Sequence, residues 1–597
     1  MTQILPLLPA GQPNFMNLRL KNAVYVDKTI YFPLLKTTSP FIFCARPRRF
    51  GISLTITALD AYFSGNRELF QGLAVEKEIN STDFIVRPVI RIDMSDVAGS
   101  RNIGILEQKI LGRLRVNAER HNVSLSGADS ADAFLSLIED VKKDKGKNIV
   151  VLIDEYDNPI INILQQPNSS YQRKLLADTR EIMRNFYSKI KSAAEHIDFV
   201  FITGVTKFSK MGVFSSLNNL IDISIDPNFG AFMGYTQQEL EENFKPFIAE
   251  ASKTLKISED NLLKQLKLYY NGFSFDGKTT LYNPFSILSF FTSGSKDFLN
   301  FWMKSGSNTL IRKFLKDKTL TADQFQGMAV DVNFASDPGE IDSTPPEGFL
   351  YQSGYLTLRA KTESSFLLDY PNLEVRKAFS TLFLQNLAPE SSWSDIDVAG
   401  IELRECLEAA NVPGMVEIFI RIFSDITYED HSKAERKPSY GVLENIIRKV
   451  GLFLSWGKQL RLTESLANYF RKSLGEGFYL SIIHSALCMA GAKVTPERHV
   501  GLGRIDLLVD SGVHIYVIEV KTTEDAQTGE TKALAGMNQI HDRGYGKAFK
   551  NPILVSLAIG REERNIVGCR FEIDGTESTI EIHDPEKPTT DHGVARD

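Results

Sequence analysis

Cysteine is scarce in this 597-residue chain: Cys44, Cys406, Cys488 and Cys569 lie far apart and form no CxxC pair. That excludes a disulfide framework and a cysteine zinc site, and leaves the four as small buried hydrophobes of a reducing compartment. The nine histidines show no HExxH or His/Cys spacing, which removes a common zinc-enzyme signature. Positive charge is not in excess either: 68 Lys and Arg stand against 74 Asp and Glu, a formal net charge of −6. A surface for a polyanion must therefore be a local patch. No run reaches the roughly 18 apolar residues that a membrane span needs, so no membrane partner is expected. Pro6, Pro9 and Pro13 interrupt an apolar N-terminus without a basic start, which does not read as a secretory signal. With 43% hydrophobic and 24% charged residues, the chain reads as a cytoplasmic globular protein of about three or four domains.

The fold class expected is α/β. Ser39–Cys44, Arg87–Met94, Asn148–Asp154 and Asp198–Thr203 are nearly continuous apolar runs of strand length. Helical candidates, Ser53–Phe63, Asn102–His121, Ala131–Lys145 and Tyr171–His196, lie between them. Strands apolar on both faces that alternate with helices predict a parallel sheet. This places an α/β domain over 1–230 and a helical, aromatic region with a winged-helix-like hairpin (Gly354–Leu358 and Ser364–Leu368) over 231–390. A helical connector over 391–466, a second α/β domain over 467–575 and a frayed polar tail over 576–597 complete the expected plan. Gln237–Leu268 and Asn283–Ser305 read as helix pairs, and the charged segment Ser424–Pro438 as an exposed connection.

In the second α/β domain, Gly503–Lys521 reads GRIDLLVDSGVHIYVIEVK, two β-rich runs around the turn signal Asp510-Ser511-Gly512. A turn centred between Ser511 and Gly512 puts Asp506 opposite Val517, with Glu519 its diagonal neighbour and Lys521 on the same face. A one-residue slip would send Asp506 to the other face. Two carboxylates that close are costly unless a cation joins them, and hard oxygen donors suit Mg²⁺ or Mn²⁺. Lys521 is then the group to orient a water or neutralise a phosphate. Glu476, on the preceding helix, and Gln539, on the following one, are helpers. A solvated Asp, Glu and Lys on an ordinary hairpin is the plain alternative.

Glu476, Tyr479, Gly503–Asp506, Glu519-Val520-Lys521, Gln539-Ile540 and Arg543-Gly544-Tyr545 resemble the PD-(D/E)XK nuclease superfamily, in the form that closes bacterial proteins beginning with an AAA-ATPase-like domain. The resemblance implies Asp506 and Glu519 as metal ligands, Lys521 as the catalytic lysine, and nucleic acid as substrate, DNA before RNA. Leu480 stands where that family often has a histidine.

The same family resembles the N-terminal half. Cys44–Tyr62 reads CARPRRFGISLTITALDAY, an apolar run leading into a helix, where a phosphate loop belongs. Supporting blocks are Tyr25–Thr29, Leu152–Asp157, Thr203–Lys210, Tyr270–Gly272 and Tyr282–Phe285. The resemblance implies an ATP site with Arg49, Gly51 and Ser53 at the phosphates and Mg²⁺. It further makes Asp154 the metal carboxylate, Glu155 the water activator and Thr203 a polar sensor. Ile52 departs from the family, which has lysine there, and a lysine puts positive charge on the β/γ-phosphates. Either nucleotide still binds weakly, or Arg48 or Arg49 supplies the missing charge, with hydrolysis slow or absent; or else the domain is a decayed ATPase kept as a scaffold. Lys28 and Arg46 would add positive charge or serve structurally. The function expected is a metal-dependent nuclease regulated by this degenerate P-loop domain, which would control access, form a homo-oligomer or take a protein regulator. The alternative is a non-catalytic scaffold that binds nucleic acid or protein.

Overall fold

A computed structural model describes residues 5–97, 102–166, 169–207, 213–214, 217, 219–304, 311–312, 323–331, 334, 346–362, 365–388, 393–426, 477–500, 503–580 and 582. They divide into two compact units: Met1–Lys313 with Phe325–Val375, and Phe314–Gln324 with Arg376–Asp597.

The first unit is built on five strands: β1 (Phe41–Ala45), β2 (Val89–Asp93), β3 (Ile149–Asp154), β4 (Ile197–Gly204) and β5 (Ile221–Asp222). Their order is β2-β3-β4-β1-β5 and every pairing is parallel. Parallel neighbours need crossovers, which the helices Ile52–Phe63, Ile103–His121, Ser130–Lys145 and Ser170–Ser192 supply. β3 is buried along its whole length, as its unbroken apolar run requires when both faces are covered.

The helical middle contains Gln237–Asn243, Lys245–Leu255, Glu259–Tyr270 and Pro284–Thr292, closed on Leu240, Phe244, Leu266, Tyr270 and Phe291. The expected pair over Gln237–Leu268 is three helices. Pro246 opens the second, and left-handed Lys256 ends it before Ser258 caps the third. Beyond them β6 (Met328–Asp331), β7 (Thr357–Lys361) and β8 (Ser365–Asp369) form a small sheet in the order β6-β8-β7. The expected hairpin is there as β7 and β8, and follows the helix Pro346–Gln352.

The second unit holds a mixed six-stranded sheet of β9 (Lys493–Val500), β10 (Gly503–Asp510), β11 (Ile515–Thr523), β12 (Ile553–Gly560), β13 (Asn565–Ile573) and β14 (Thr576–Ile580), laid out in order from β14 to β9. Only β11 and β12 are parallel; the helix Gly529–Arg543 joins them. One face packs Leu507, Val509, Ile518 and Leu557 into the main core with the helices Trp393–Glu408, Val412–Ser424 and 477–489. The other carries Leu508, Val517 and Leu554 against Met537, Ile540 and Tyr545 of the joining helix or just after it.

Residues after Gly575 are not frayed at first: Asp574 and Gly575, both at positive φ, make a two-residue turn into β14, which pairs along β13. The polar composition of β14 suits an edge strand whose outer side faces water. The β10–β11 register also differs, as described next. The charged segment beyond Ile426 and much of the connector lie outside the described residues, as does Glu476.

Candidate active site

The loop between β10 and β11 is four residues, Ser511–His514, rather than a turn centred at Ser511-Gly512. The Ser511 amide donates to the His514 carbonyl at 3.0 Å, and the Ser511 hydroxyl accepts the His514 amide at 2.9 Å. Pairing runs from Asp510↔Ile515 to Leu507↔Ile518, two residues from the expected register. An even shift preserves the face, so Asp506 reaches the next rung on the face of Glu519. There the side chain takes over from the ladder: Asp506 Oδ2 accepts the Val520 amide at 2.9 Å.

Glu519 is 1% exposed. A carboxylate held that far from water needs charge and hydrogen bonds to match it. Lys521, two residues on and hence on the same face, donates from Nζ to Glu519 Oε1 at 2.6 Å, while its own side chain is 25% exposed. Gln539 Nε2 donates to the same oxygen from the joining helix. That helix comes close because residue 536 is glycine: a Cβ there would stand 2.2 Å from Ser556 Oγ and 3.4 Å from Lys521 Cγ. Gln539 then sits one turn further along, over Glu519. Asp506, Glu519, Lys521 and Gln539 thus meet on one face. Ser556 and Gly536 join them unannounced, because nothing in sequence spacing links a strand after the joining helix to Glu519. No group of three or more His, Cys, Asp or Glu able to hold a metal occurs among the described residues. A divalent ion here would have two carboxylates as its protein side-chain donors, an all-oxygen pair of the kind Mg²⁺ and Mn²⁺ accept. The buried Glu519 already requires a cation beside it, a place the Lys521 ammonium fills.

In the first unit, the ends of three parallel strands collect the second set. Asp93, Asp154 and Thr203 end or nearly end β2, β3 and β4; Asp93 pairs with Asp154, and Ile202 with Ile153. The Thr203 hydroxyl donates to Asp154 Oδ1 at 3.0 Å, and Ser53 hydrogen-bonds the same carboxylate. Burial, then the charge of Asp93, pushes the Asp154 pKa up. Burial also lifts Glu155 to about 7, Asp154 adding to it and Arg48 opposing it. Glu155 stands at φ 51 and Arg49 at φ 71, left-handed positions costly for these residue types and common at functional sites. Asp93 was legible in RIDM, which ends an apolar strand as LID does at Asp154.

The loop cations are already employed. Arg46, 1% exposed, donates to the carbonyls of Ala45 (3.0 Å), Ser224 (2.6 Å) and Phe229 (3.1 Å) and lies 4.1 Å over the Phe275 ring. Lys28 is spent on Glu239 at 2.6 Å and the Ala231 carbonyl at 2.8 Å. Both roles are structural. Arg49 is exposed, with its guanidinium 4.8 Å over Phe285, whereas Arg48 is the loop arginine that acts on Glu155. Ile52 opens the helix Ile52–Phe63 behind left-handed Gly51 and is buried, 8% exposed.

Comparison with known proteins assigns both regions to families. Residues 9–214 match the AAA-ATPase-like family model, described as a predicted AAA-ATPase, and residues 474–567 match a PD-(D/E)XK nuclease superfamily model. A protein of Azotobacter chroococcum mcd 1, called "Uncharacterized protein in vnfD 5'region", is 30% identical over 576 residues, 95% of this chain and 98% of that one. No solved structure matches the chain. The chain belongs to the bacterial family that joins an N-terminal AAA-ATPase-like domain to a C-terminal PD-(D/E)XK nuclease superfamily domain.

Proposed function

We propose that this chain is a metal-dependent nuclease that hydrolyses phosphodiester bonds in nucleic acid, DNA before RNA, at Asp506, Glu519 and Lys521. The observation that carries the reading is a buried carboxylate, Glu519, held by Lys521 and Gln539 beside Asp506 in a nuclease-superfamily domain. Asp506 and Glu519 would hold Mg²⁺ or Mn²⁺, which when bound polarises a phosphodiester and acidifies a water. The chain's own residues do the rest. Asp506 is oriented by the Val520 amide, and Gln539 keeps the Glu519 carboxylate in one rotamer. Lys521, whose ammonium lies on the same face as both carboxylates, would orient the attacking water or neutralise the charge that develops on phosphate. The AAA-ATPase-like domain, with Ile52 in its phosphate loop, regulates access to this site instead of driving it by rapid ATP turnover.

The test is a calorimetric Mn²⁺ titration of the full-length chain with a short DNA duplex present, against Asp506→Asn. Asparagine keeps an acceptor for the Val520 amide but loses the charge, so a folded variant that no longer binds Mn²⁺ and no longer cleaves supports the assignment. A wild-type chain that takes up no Mn²⁺ with DNA present rules it out and leaves the scaffold reading.

A further inference from the structure

The hydroxyl of Ser556 has no role in the arrangement described so far. Ser556 is fully buried and its Oγ makes no hydrogen bond. A buried hydroxyl in that state is costly, and alanine would pack there without the cost. Its position is specific. In the parallel pairing of β11 with β12, Ser556 is the Cα partner of Glu519, so the two side chains leave the same face of the sheet side by side. Gly536 closes over it: a Cβ there would stand 2.2 Å from the hydroxyl oxygen. The residue paired with Ser556 across the sheet is Glu519, with the Lys521 side chain also near the glycine that covers the hydroxyl.

Glu519 has two donors on Oε1 in the cation-free arrangement, Lys521 and Gln539. A divalent cation held by Asp506 and Glu519 would repel the Lys521 ammonium from that oxygen, and the carboxylate would lose a donor.

We propose that Ser556 is a positioning residue for Glu519, its hydroxyl donating to the carboxylate in the cation-bound state and holding it in ligating orientation. This rests on the nuclease reading above. It explains why a hydroxyl idle without the cation occupies a site that favours alanine, and why glycine stands over it.

Opposite signs in two measurements test it on the full-length chain. Ser556→Ala removes an idle group, so in EDTA the variant should melt at or above the wild-type temperature. Its Mn²⁺ dissociation constant should nonetheless rise at least about tenfold, the weight of one hydrogen bond to a charged group. A merely structural serine would move both readings the same way, so weaker Mn²⁺ binding together with a lower melting temperature in EDTA overturns the proposal. A Mn²⁺ affinity within about twofold of wild type overturns it too. If that happens while Asp506→Asn still abolishes binding, the nuclease reading survives and the Ser556 role alone falls. A wild type that takes up no Mn²⁺ removes both.

Discussion

Lys521→Met separates the two cations that Glu519 can have. Breaking a buried pair by removing one partner costs about 3–5 kcal/mol, because the remaining charge is left uncompensated. Glu519 is 1% exposed but the Lys521 side chain is 25% exposed, and Gln539 still donates to Oε1. The expected loss is therefore nearer 2–3 kcal/mol, an order-of-magnitude figure below that range. For a unit of this size each kcal/mol moves the melting temperature by about 2–4 °C, so the expected fall in EDTA is about 5–10 °C. Methionine keeps the length and apolar stem of the lysine, which confines the change to the charge. Saturating Mn²⁺ should recover most of the fall, because a cation on Glu519 and Asp506 does the electrostatic work of the ammonium and no longer competes with it. Mn²⁺ should thus raise the melting temperature more in the variant than in wild type, by at least about 5 °C. Cleavage should still drop by at least about a hundredfold, since the group that handles the water or phosphate is gone. Scanning calorimetry of the full-length chain, with EDTA and with Mn²⁺, reads the thermal part. Equal Mn²⁺ increments in the two proteins, or an unchanged transition in EDTA, would refute the reasoning.

Two further perturbations address the first unit. Glu374 is buried and accepts from the Phe301 and Trp302 amides at 2.7 and 2.8 Å and from Ser286 at 2.8 Å. Burial raises its pKa to about 8 from an ordinary 4.5, against the pull of those donors. The fold then keeps a proton that the unfolded chain releases, so its stabilisation is full below pH 4.5 and is lost as pH climbs toward 8, at up to about 1.4 kcal/mol per pH unit. Glu155, raised to about 7, adds in the same direction. Glu374→Gln should make the melting temperature of this unit flatter between pH 5 and 8 and higher at pH 8; a variant as pH-dependent as wild type would count against a protonated Glu374. Ile52→Lys restores charge at the helix start behind Gly51, next to a loop and carboxylates already in place. Fluorescent-nucleotide binding should strengthen at least about tenfold with Mg²⁺ present, as one phosphate-facing charge would provide; no gain would mean that the pocket has lost more than its lysine.

Strand and helix order was legible because burial on both faces forces long apolar runs, and the segments flanking Asp154 and Asp506 left little room for another period. The family blocks pointed to the chemistry proposed for both sites through residues adjacent in sequence, such as Glu519-Val520-Lys521 and Asp154-Glu155. Local turn chemistry was harder. Ser511 bonds backbone groups within its own loop and lengthens it to four residues, which moved the hairpin register by two, and Asp574-Gly575 turned an expected tail into an edge strand. The Asp506–Glu519–Lys521 face survived because strand side chains repeat every second residue, and an even shift leaves them where they were.

Motif and apolar patterning, which sequence states outright, therefore determined the family, the isoleucine at residue 52 and the alternation of elements. Which cation is free to act was decided only in three dimensions. Arg46 and Lys28 look like phosphate binders in sequence, yet one is consumed by three carbonyls and the other by Glu239. Ser556 looks like nothing at all until β12 is laid beside β11 and Gly536 closes over it. Hydrogen bonds and desolvation depend on neighbours brought from far along the chain, and a linear sequence records the groups but not the distances between them.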